Sequence, residues 1–284
     1  MHHIVVTPVY NEEQFLEKYI NSIIKQEEIP DKFLLIDDSS NDSSAEIIKK
    51  FSDQFEWITY LLHPGEKGKA QGAKIVKAFN YGLKEIDLAN VDIISKIDAD
   101  LELPTNYFTE VKQAFANNRV GIAGGYIIEN KQNEWMRIPH PNYHIRGALK
   151  TYRKDTFNEI NGLMPVLGWD GLDEMKAMYH GWKTQNIEIG VKHFRPASFD
   201  YNNAELNFKK GITSYKNGAN IFLTIIRMLV KMWEKPYIKS GVMFFLGYLK
   251  SMFQKEEKNV DKNLSKFINR FHIKRLLSMN MYKL

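Results

Sequence analysis

A chain of 284 residues with 44% hydrophobic content is long enough to bury a sizeable core, as one large domain or two smaller ones. It has no cysteine, which excludes disulfides, thiolate zinc sites and cysteine nucleophiles and suits a reducing compartment. The net charge of +5 hides a division: residues 206–284 hold 16 Lys and Arg against 4 Asp and Glu, so the first 205 residues are net acidic.

Strand pattern is present by Ile4-Val5-Val6, so no secretory leader is expected and the chain reads as cytoplasmic. Further apolar, β-branched runs follow at Phe33–Ile36, Trp57–Leu61, Asp92–Ile97 and Val120–Ala123. Between them, Glu13–Ile24, Ser44–Phe51, Ala73–Leu83 and Tyr107–Phe115 carry apolar residues at helical spacing. Such alternation predicts an α/β fold, a Rossmann-like and mostly parallel sheet covered by helices. From Phe208 the pattern becomes three helical stretches without strand signal, which places a domain boundary near residue 205. The expected organisation is a catalytic domain over 1–205 and a helical extension over 206–284.

In open α/β sheets ligands bind beyond the carboxyl ends of the strands. Thr7-Pro8, Asp37-Asp38 and Asp98/Asp100 all fall there. Asp98 and Asp100 are spaced i, i+2, so a strand would project them to one side. Paired oxygens at a strand end suit Mg²⁺ or Mn²⁺, hard cations bound through one or two carboxylates plus substrate phosphates. A solvated turn is the plainer reading of a lone Asp-Ala-Asp, as helix capping is for Asn11-Glu12-Glu13 and an Asx-turn for Asp38.

Four segments in this order resemble the family 2 glycosyltransferases with the nucleotide-sugar-binding A-type fold, over residues 4 to about 196. They are Pro8-Val9-Tyr10-Asn11-Glu12, Asp37-Asp38-Ser39-Ser40, Asp98-Ala99-Asp100, and Gly168-Trp169-Asp170-Gly171-Leu172-Asp173-Glu174 before a helix that runs into His180-Gly181-Trp182. The resemblance implies that Pro8, Tyr10 and Glu12 line the nucleotide pocket, Tyr10 near the base and Glu12 near the ribose. It makes Asp38 an acceptor for the imide of uracil or thymine. It assigns Asp100 to a divalent metal, with Asp98 on the sugar or ribose and a second metal candidate, and lets His193 complete the metal shell or touch the diphosphate. The plainer reading of a lone His193 is structural.

The same resemblance implies a general base, an Asp just before a helix and about eleven residues ahead of a Gly-aromatic pair. Counting back from Gly181 reaches Asp170, although the usual preceding Glu is Trp169 here and Asp173-Glu174 offers a second acidic pair. Asp170 and Asp173 therefore both stand as catalytic candidates, with helix capping as the alternative for either. Lys69, Lys74 and Arg195 are candidates to neutralise phosphate charge, and Arg146 a loop contact to donor or acceptor. Where the family often carries Arg-Asn, this chain has Phe79-Asn80.

In the basic extension, Ile221-Phe222, Ile225, Met228-Leu229 and Met232-Trp233 recur at helical spacing. Lys262, Lys266, Arg270 and Lys274 form an i, i+4 ridge beside Leu264, Ile268 and Phe271. Both read as basic amphipathic helices, suited either to packing on protein or to lying on a membrane. The uncharged windows 217–226 and 240–249 are about half the roughly 20 residues that a spanning helix needs.

The expectation is a metal-dependent, inverting glycosyltransferase that moves a sugar from a nucleoside diphosphate donor, a UDP-sugar, to a hydroxyl of a glycan or lipid-linked acceptor. It would act in cell-surface polysaccharide or glycolipid assembly, in the cytoplasm or at the cytoplasmic face of the membrane. A non-catalytic nucleotide- or membrane-binding protein of the same fold is the alternative, against which Asp98, Asp100 and Asp170 stand. A nucleotidyltransferase would need an N-terminal Gly-rich loop with a basic residue, which residues 7–12 lack. Nucleic acid is not an expected partner, because the basic residues lack interleaved stacking aromatics or a known module.

Overall fold

The computed structural model describes residues 1–65, 72–195 and 204–277. Its first strand, β1 (His3–Val9), is buried along its whole length, which is why it reads as a continuous apolar run rather than an alternating one. It pairs in parallel with β2 (Lys32–Asp37) and β4 (Ile93–Ile97), and β2 pairs in parallel with β3 (Ile58–Leu62). The helices between them are α1 (Leu16–Ile24), α2 (Ser44–Ser52) and α3 (Ala73–Lys84). In α1 the residues Leu16, Tyr19, Ile20 and Ile23 are buried, an i, i+3, i+4, i+7 face laid on the sheet. α3 approaches β2 so closely that a Cβ on Gly82 would stand 2.3 Å from Ile36 Cδ1.

Helix α1 begins at Leu16, later than the predicted start at Glu13, because the chain first makes a turn in which Phe15 and Leu16 both donate their backbone N–H to the Glu12 carbonyl. Asn11 does not act as its cap. It takes φ 54° and uses its side-chain oxygen to accept from the Asn41 N–H at 2.8 Å, tying the β1 loop to the β2 loop.

The sheet continues through elements with weaker sequence signal. These are β5 (Leu101–Glu102), α4 (Tyr107–Ala114), β6 (Val120–Lys131), β7 (Glu134–Arg137), β8 (Leu149–Arg153), α5 (Lys154–Glu159), α6 (Trp169–Tyr179) and β9 (Lys183–His193). Strand order is β3-β2-β1-β4-β8-β6-β9-β5, with β7 on β6. β6 and β9 run parallel, while β8 runs antiparallel between β4 and β6 and β5 antiparallel to β9. The core collects Val5, Tyr19, Phe33, Phe108, Leu149 and Val191 with their neighbours.

The chain divides into two compact units, Met1–Pro165 with Trp169–Pro196, and Val166–Gly168 with Ala197–Leu284. Beyond Val166–Gly168, the described residues of the second unit begin at Ala204. Where three helical stretches were expected it holds four helices, α7 (Ala204–Lys216), α8 (Ile221–Lys231), α9 (Lys239–Phe253) and α10 (Lys262–Leu277). Two glycines set the packing of α7 on α9: a Cβ on Gly211 would lie 1.9 Å from the Phe244 carbonyl oxygen, and one on Gly247 would lie 2.0 Å from that of Phe208. Among the described residues no helix is long and apolar enough to cross a membrane.

Candidate active site

The end of β4 and the start of β5 hold Asp98, Ala99 and Asp100 in a tight turn, with the Asp98 N–H donating to the Ala148 carbonyl at 2.8 Å and the Asp100 carbonyl accepting from the Phe194 N–H at 3.0 Å. Strand register brings the remaining groups here. β5 pairs Leu101 with His193, and β6 pairs Glu129 with the same His193. The His193 ring therefore lies between two carboxylates, its Nε2 3.3 Å from Asp100 Oδ2 and its Nδ1 3.4 Å from Glu129 Oε1. Burial would lower the pKa of His193, but the hydrogen bond and charge of Asp100 override it and hold the imidazole above its usual range.

Lys96, 1% exposed, is paired with Asp98 and donates to the Gly147 carbonyl at 2.9 Å. Burial raises the pKa of Asp98 against the pull of that ammonium. Gly147 in turn stands against Asp170: a Cβ at this position would be 2.9 Å from Asp170 Cβ and 3.2 Å from its Oδ2. A chain of contacts thus runs from Asp98 through Lys96 and Gly147 to Asp170 at the first turn of α6. Trp169 fills the space between two lysines, Lys96 at 5.3 Å and Lys150 at 5.7 Å from its ring centre.

The two acidic candidates on α6 sit in different surroundings. Asp170 is partly exposed, and its carboxylate has no ion-pair or hydrogen-bond partner among the described residues. Asp173 is buried, accepts from Lys150 Nζ at 2.8 and 3.0 Å, and is also hydrogen-bonded by the Tyr152 hydroxyl. Burial pushes the Asp173 carboxyl up to about 6 despite these partners. Desolvation would release the proton of Lys150, but Asp173, then Glu174 and Asp170, hold the ammonium above the usual lysine range. Glu174 is equally enclosed, accepting from the Ile145 N–H at 2.7 Å and lying 3.0 Å from His144 Nδ1.

On the nucleotide side, Pro8 lies in β1 opposite Ile36 and Tyr10 is exposed just beyond it, with Lys74 Nζ 5.6 Å from the Tyr10 ring centre. Asp38, buried at the end of β2, accepts from His63 Nδ1 at 2.6 Å, leaving its second oxygen for another donor. Glu12 is clasped by Arg195 through two hydrogen bonds of 3.0 and 2.7 Å. Even so, burial and then the nearby Asp100 push the Glu12 carboxyl up to about 7. Arg146 sits in the loop before β8, its carbonyl accepting from the Leu149 N–H. Lys69 lies outside the described residues.

Glu12, Asp98, Asp100 and Glu129 outnumber Lys96 and Arg195 around this cluster, and after burial the nearest of these charges, Asp100, adds to the rise in the pKa of Glu12. Among the described residues no three His, Asp or Glu side chains are arranged around one point as ligands. Asp100 and His193 nevertheless bring an oxygen and an imidazole nitrogen into contact, a donor pair that fits a divalent cation, with substrate phosphate oxygens left to complete the shell.

Glu129, His63, Lys150 and Gly147 gave no usable sign in the sequence, because each earns its place through a partner far along the chain. Lys96 gave one: a lysine in the middle of an apolar strand must find a counter-charge.

The fold is that of the A-type glycosyltransferases. It superposes on a mannosyltransferase from Pyrobaculum calidifontis solved in complex with GDP-Man and Mn²⁺, with a TM-score of 0.58 at 12% identity over 99% of this chain and 81% of that one. Residues 4–169 match the model of glycosyl transferase family 2, and the chain belongs to that family. It is 27% identical over 255 residues to an uncharacterized glycosyltransferase of Mycoplasma pneumoniae, covering 79% of this chain and 81% of that protein. It is 31% identical over 140 residues to the undecaprenyl-phosphate 4-deoxy-4-formamido-L-arabinose transferase of Proteus mirabilis, covering 47% of this chain and 39% of that enzyme. The chain spans less than half the length of several of the curated relatives it matches.

Proposed function

We propose that the chain is a metal-dependent, inverting glycosyltransferase that uses a UDP-sugar and glycosylates a hydroxyl of a lipid-linked acceptor. The observation that carries this reading is the contact chain from Asp98 through Lys96 and the Gly147 carbonyl to Asp170, which couples the strand-end carboxylates to one carboxylate that has no hydrogen-bond or ion-pair partner among the described residues. That arrangement supplies the two things a single displacement needs, a place for the departing diphosphate and a base for the incoming hydroxyl.

Asp170 takes the proton of the acceptor hydroxyl as the new bond to the sugar C1 forms and the bond from C1 to the diphosphate oxygen breaks, on the opposite face. Its open carboxylate is free to receive that proton, whereas Asp173 already holds Lys150 and Tyr152 and keeps α6 seated. Asp38 accepts the imide N–H of uracil with the oxygen that His63 leaves unused, Tyr10 lies against the base, and Glu12 takes the ribose hydroxyls. Arg195 and Lys74 lie near enough to Glu12 and Tyr10 to meet phosphate charge. A divalent cation, when held by Asp100 and His193, supplies Lewis-acid neutralisation of the charge that grows on the leaving diphosphate.

The lipid-linked acceptor is supported by the Proteus relative, whose name places its sugar transfer on undecaprenyl phosphate. An acceptor that stays in a bilayer calls for an enzyme at the cytoplasmic membrane face, and residues 206–284, with 16 Lys and Arg, suit that address. Calorimetric titration of UDP with Mn²⁺ and with EDTA tests the reading. Binding should require the cation in the wild type and be weak with or without it in Asp100→Ala; UDP affinity unchanged by EDTA would refute the metal role.

A further inference from the structure

Among the described residues, the second unit leaves an apolar surface uncovered on two of its helices. Along α8 the exposed residues Ile221, Phe222, Ile225, Leu229 and Trp233 follow one helical face and run into the turn after the helix. Along α9 the exposed Ile238, Val242, Leu246 and Phe253 repeat the pattern at i, i+4, i+8 and i+15. The opposite faces of these helices are spent inside the unit: Leu223 and Tyr248 join its small core, and a Cβ on Gly241 would be 2.5 Å from the Met228 carbonyl oxygen. The tip between the helices is open, with Trp233 83% and Tyr237 60% exposed.

Charge decides what this surface suits. Residues 221–253 hold five Lys and Arg against one acid, Glu234, and that acid is paired with Lys231 at 3.0 Å. Lys235 and Lys239 stand exposed on either side of Tyr237. Tryptophan and tyrosine beside lysine is the composition of a membrane interface, where the rings sit at headgroup depth and the ammonium groups reach lipid phosphates. Docking of a second copy on the same surface would bring these like charges together, at a cost. The basic ridge of α10 offers less, because Leu264 and Ile268 beside it are buried and Asn269 donates to the Gly218 carbonyl at 2.8 Å, leaving Lys262, Lys266, Arg270 and Lys274 without an exposed apolar partner face.

We propose that the α8–α9 hairpin is a membrane-docking surface that inserts Trp233, Tyr237 and Ile238 into the headgroup region of a bilayer rich in anionic lipid, with Lys235 and Lys239 on the lipid phosphates. The helices lie in the plane of the interface rather than across it. This site deepens the membrane address given to residues 206–284 in the transferase reading, and neither the uracil contacts nor Asp170 enters the argument for it.

The full chain is sedimented with vesicles of phosphatidylcholine alone and of phosphatidylcholine with phosphatidylglycerol. Wild type should pellet with the anionic vesicles, less so as salt is added. Trp233→Ser with Tyr237→Ser, and separately Lys235→Glu with Lys239→Glu, should each weaken the partition by about tenfold or more. Reversal of Lys262, Lys266, Arg270 and Lys274 to Glu should weaken it less than either. Helical circular dichroism and melting temperature of the hairpin variants, unchanged from wild type, check their folding; should the serine pair misfold, the exposed lysine pair carries the comparison. Wild type that stays in the supernatant, or hairpin variants that pellet like wild type, overturns the proposal. A concentration-dependent dimer dissolved by the hairpin variants, without vesicle binding, overturns it in favour of a second copy. Wild type that pellets but binds no UDP counts against the donor reading and leaves the docking surface standing.

Discussion

Glu129 and His193 are partners in the register of β6 and β9, and that pairing sets Glu129 Oε1 3.4 Å from His193 Nδ1 while the other ring nitrogen faces Asp100. A buried carboxylate behind an imidazole fixes its tautomer and orientation and makes the far nitrogen a better ligand. Glu129→Gln should keep the fold but raise the Mn²⁺ concentration needed for half-maximal UDP binding by about 10–100-fold. An unchanged Mn²⁺ requirement would mean that this contact serves packing alone.

Asp170 and Asp173 should separate cleanly under the same substitution. Asp170→Asn removes a carboxylate without a hydrogen-bond or ion-pair partner among the described residues, so turnover should fall by about 10² or more with UDP affinity within a few fold and little change in melting temperature. Asp173→Asn removes one of the two carboxylates that hold Lys150 in the core, leaving Glu174 at 2.9 Å as the remaining buried counter-charge, so the loss should stay below the cost of a fully stranded charge and should show first as a lower melting temperature. A stable Asp173→Asn protein without activity, beside an active Asp170→Asn one, would reverse the assignment.

The parallel half of the sheet was legible because β1, β2 and β4 are buried along nearly their whole length and read as apolar runs bounded by polar turns, while the half-exposed edge strand β3 was marked by the β-branched and aromatic Ile58-Thr59-Tyr60. The antiparallel half was not. β8 reads Leu-Lys-Thr-Tyr-Arg, and nothing local shows that Lys150 turns inward to meet Asp173, 23 residues later. β5 is two residues long and exists only through its pairing with β9. The site divides in the same way. Asp98, Asp100 and Asp38 announce themselves at strand ends, whereas Glu129 is one more carboxylate in a strand until register places it. In the extension, periodicity found the amphipathic helices but did not say which apolar face the fold would use. α10 turned Leu264 and Ile268 inward, and α8 left Phe222, Leu229 and Trp233 outside.

Two buried histidines should make stability fall in mild acid. Burial, then Lys112, pushes His3 down to about 3, and burial, then Arg227, pushes His272 down to about 2. Below the unfolded value of 6.5 the unfolded chain binds a proton at each that the folded chain refuses, so each removes up to about 1.4 kcal/mol per pH unit as pH falls toward the folded value. Glu12 and Asp173, raised to about 7 and about 6, act in the opposite sense, because the folded protein takes up their protons first. The signature is therefore a difference. Urea unfolding at pH 7.5 and pH 5 should show the wild type losing more stability than His3→Gln over that interval, and parallel losses would contradict a neutral buried His3.

Gly147 is the remaining joint between the strand-end carboxylates and Asp170. A methyl group there would meet Asp170 Cβ at 2.9 Å and Trp169 Cζ2 at 3.1 Å, so the first turn of α6 must shift to admit it. The intrusion should cost about 1–3 kcal/mol of stability, as overpacking does, and the folded protein should remain the majority species. Displacement of the proposed base by a fraction of an ångström to an ångström is expected to lower kcat of Gly147→Ala by about 10-fold to 10²-fold, while UDP affinity stays within a few fold because Asp38 and Tyr10, the proposed uracil contacts, lie on other loops. Full activity with a lowered melting temperature would separate the position of Asp170 from the chemistry and remove the contact chain as its support.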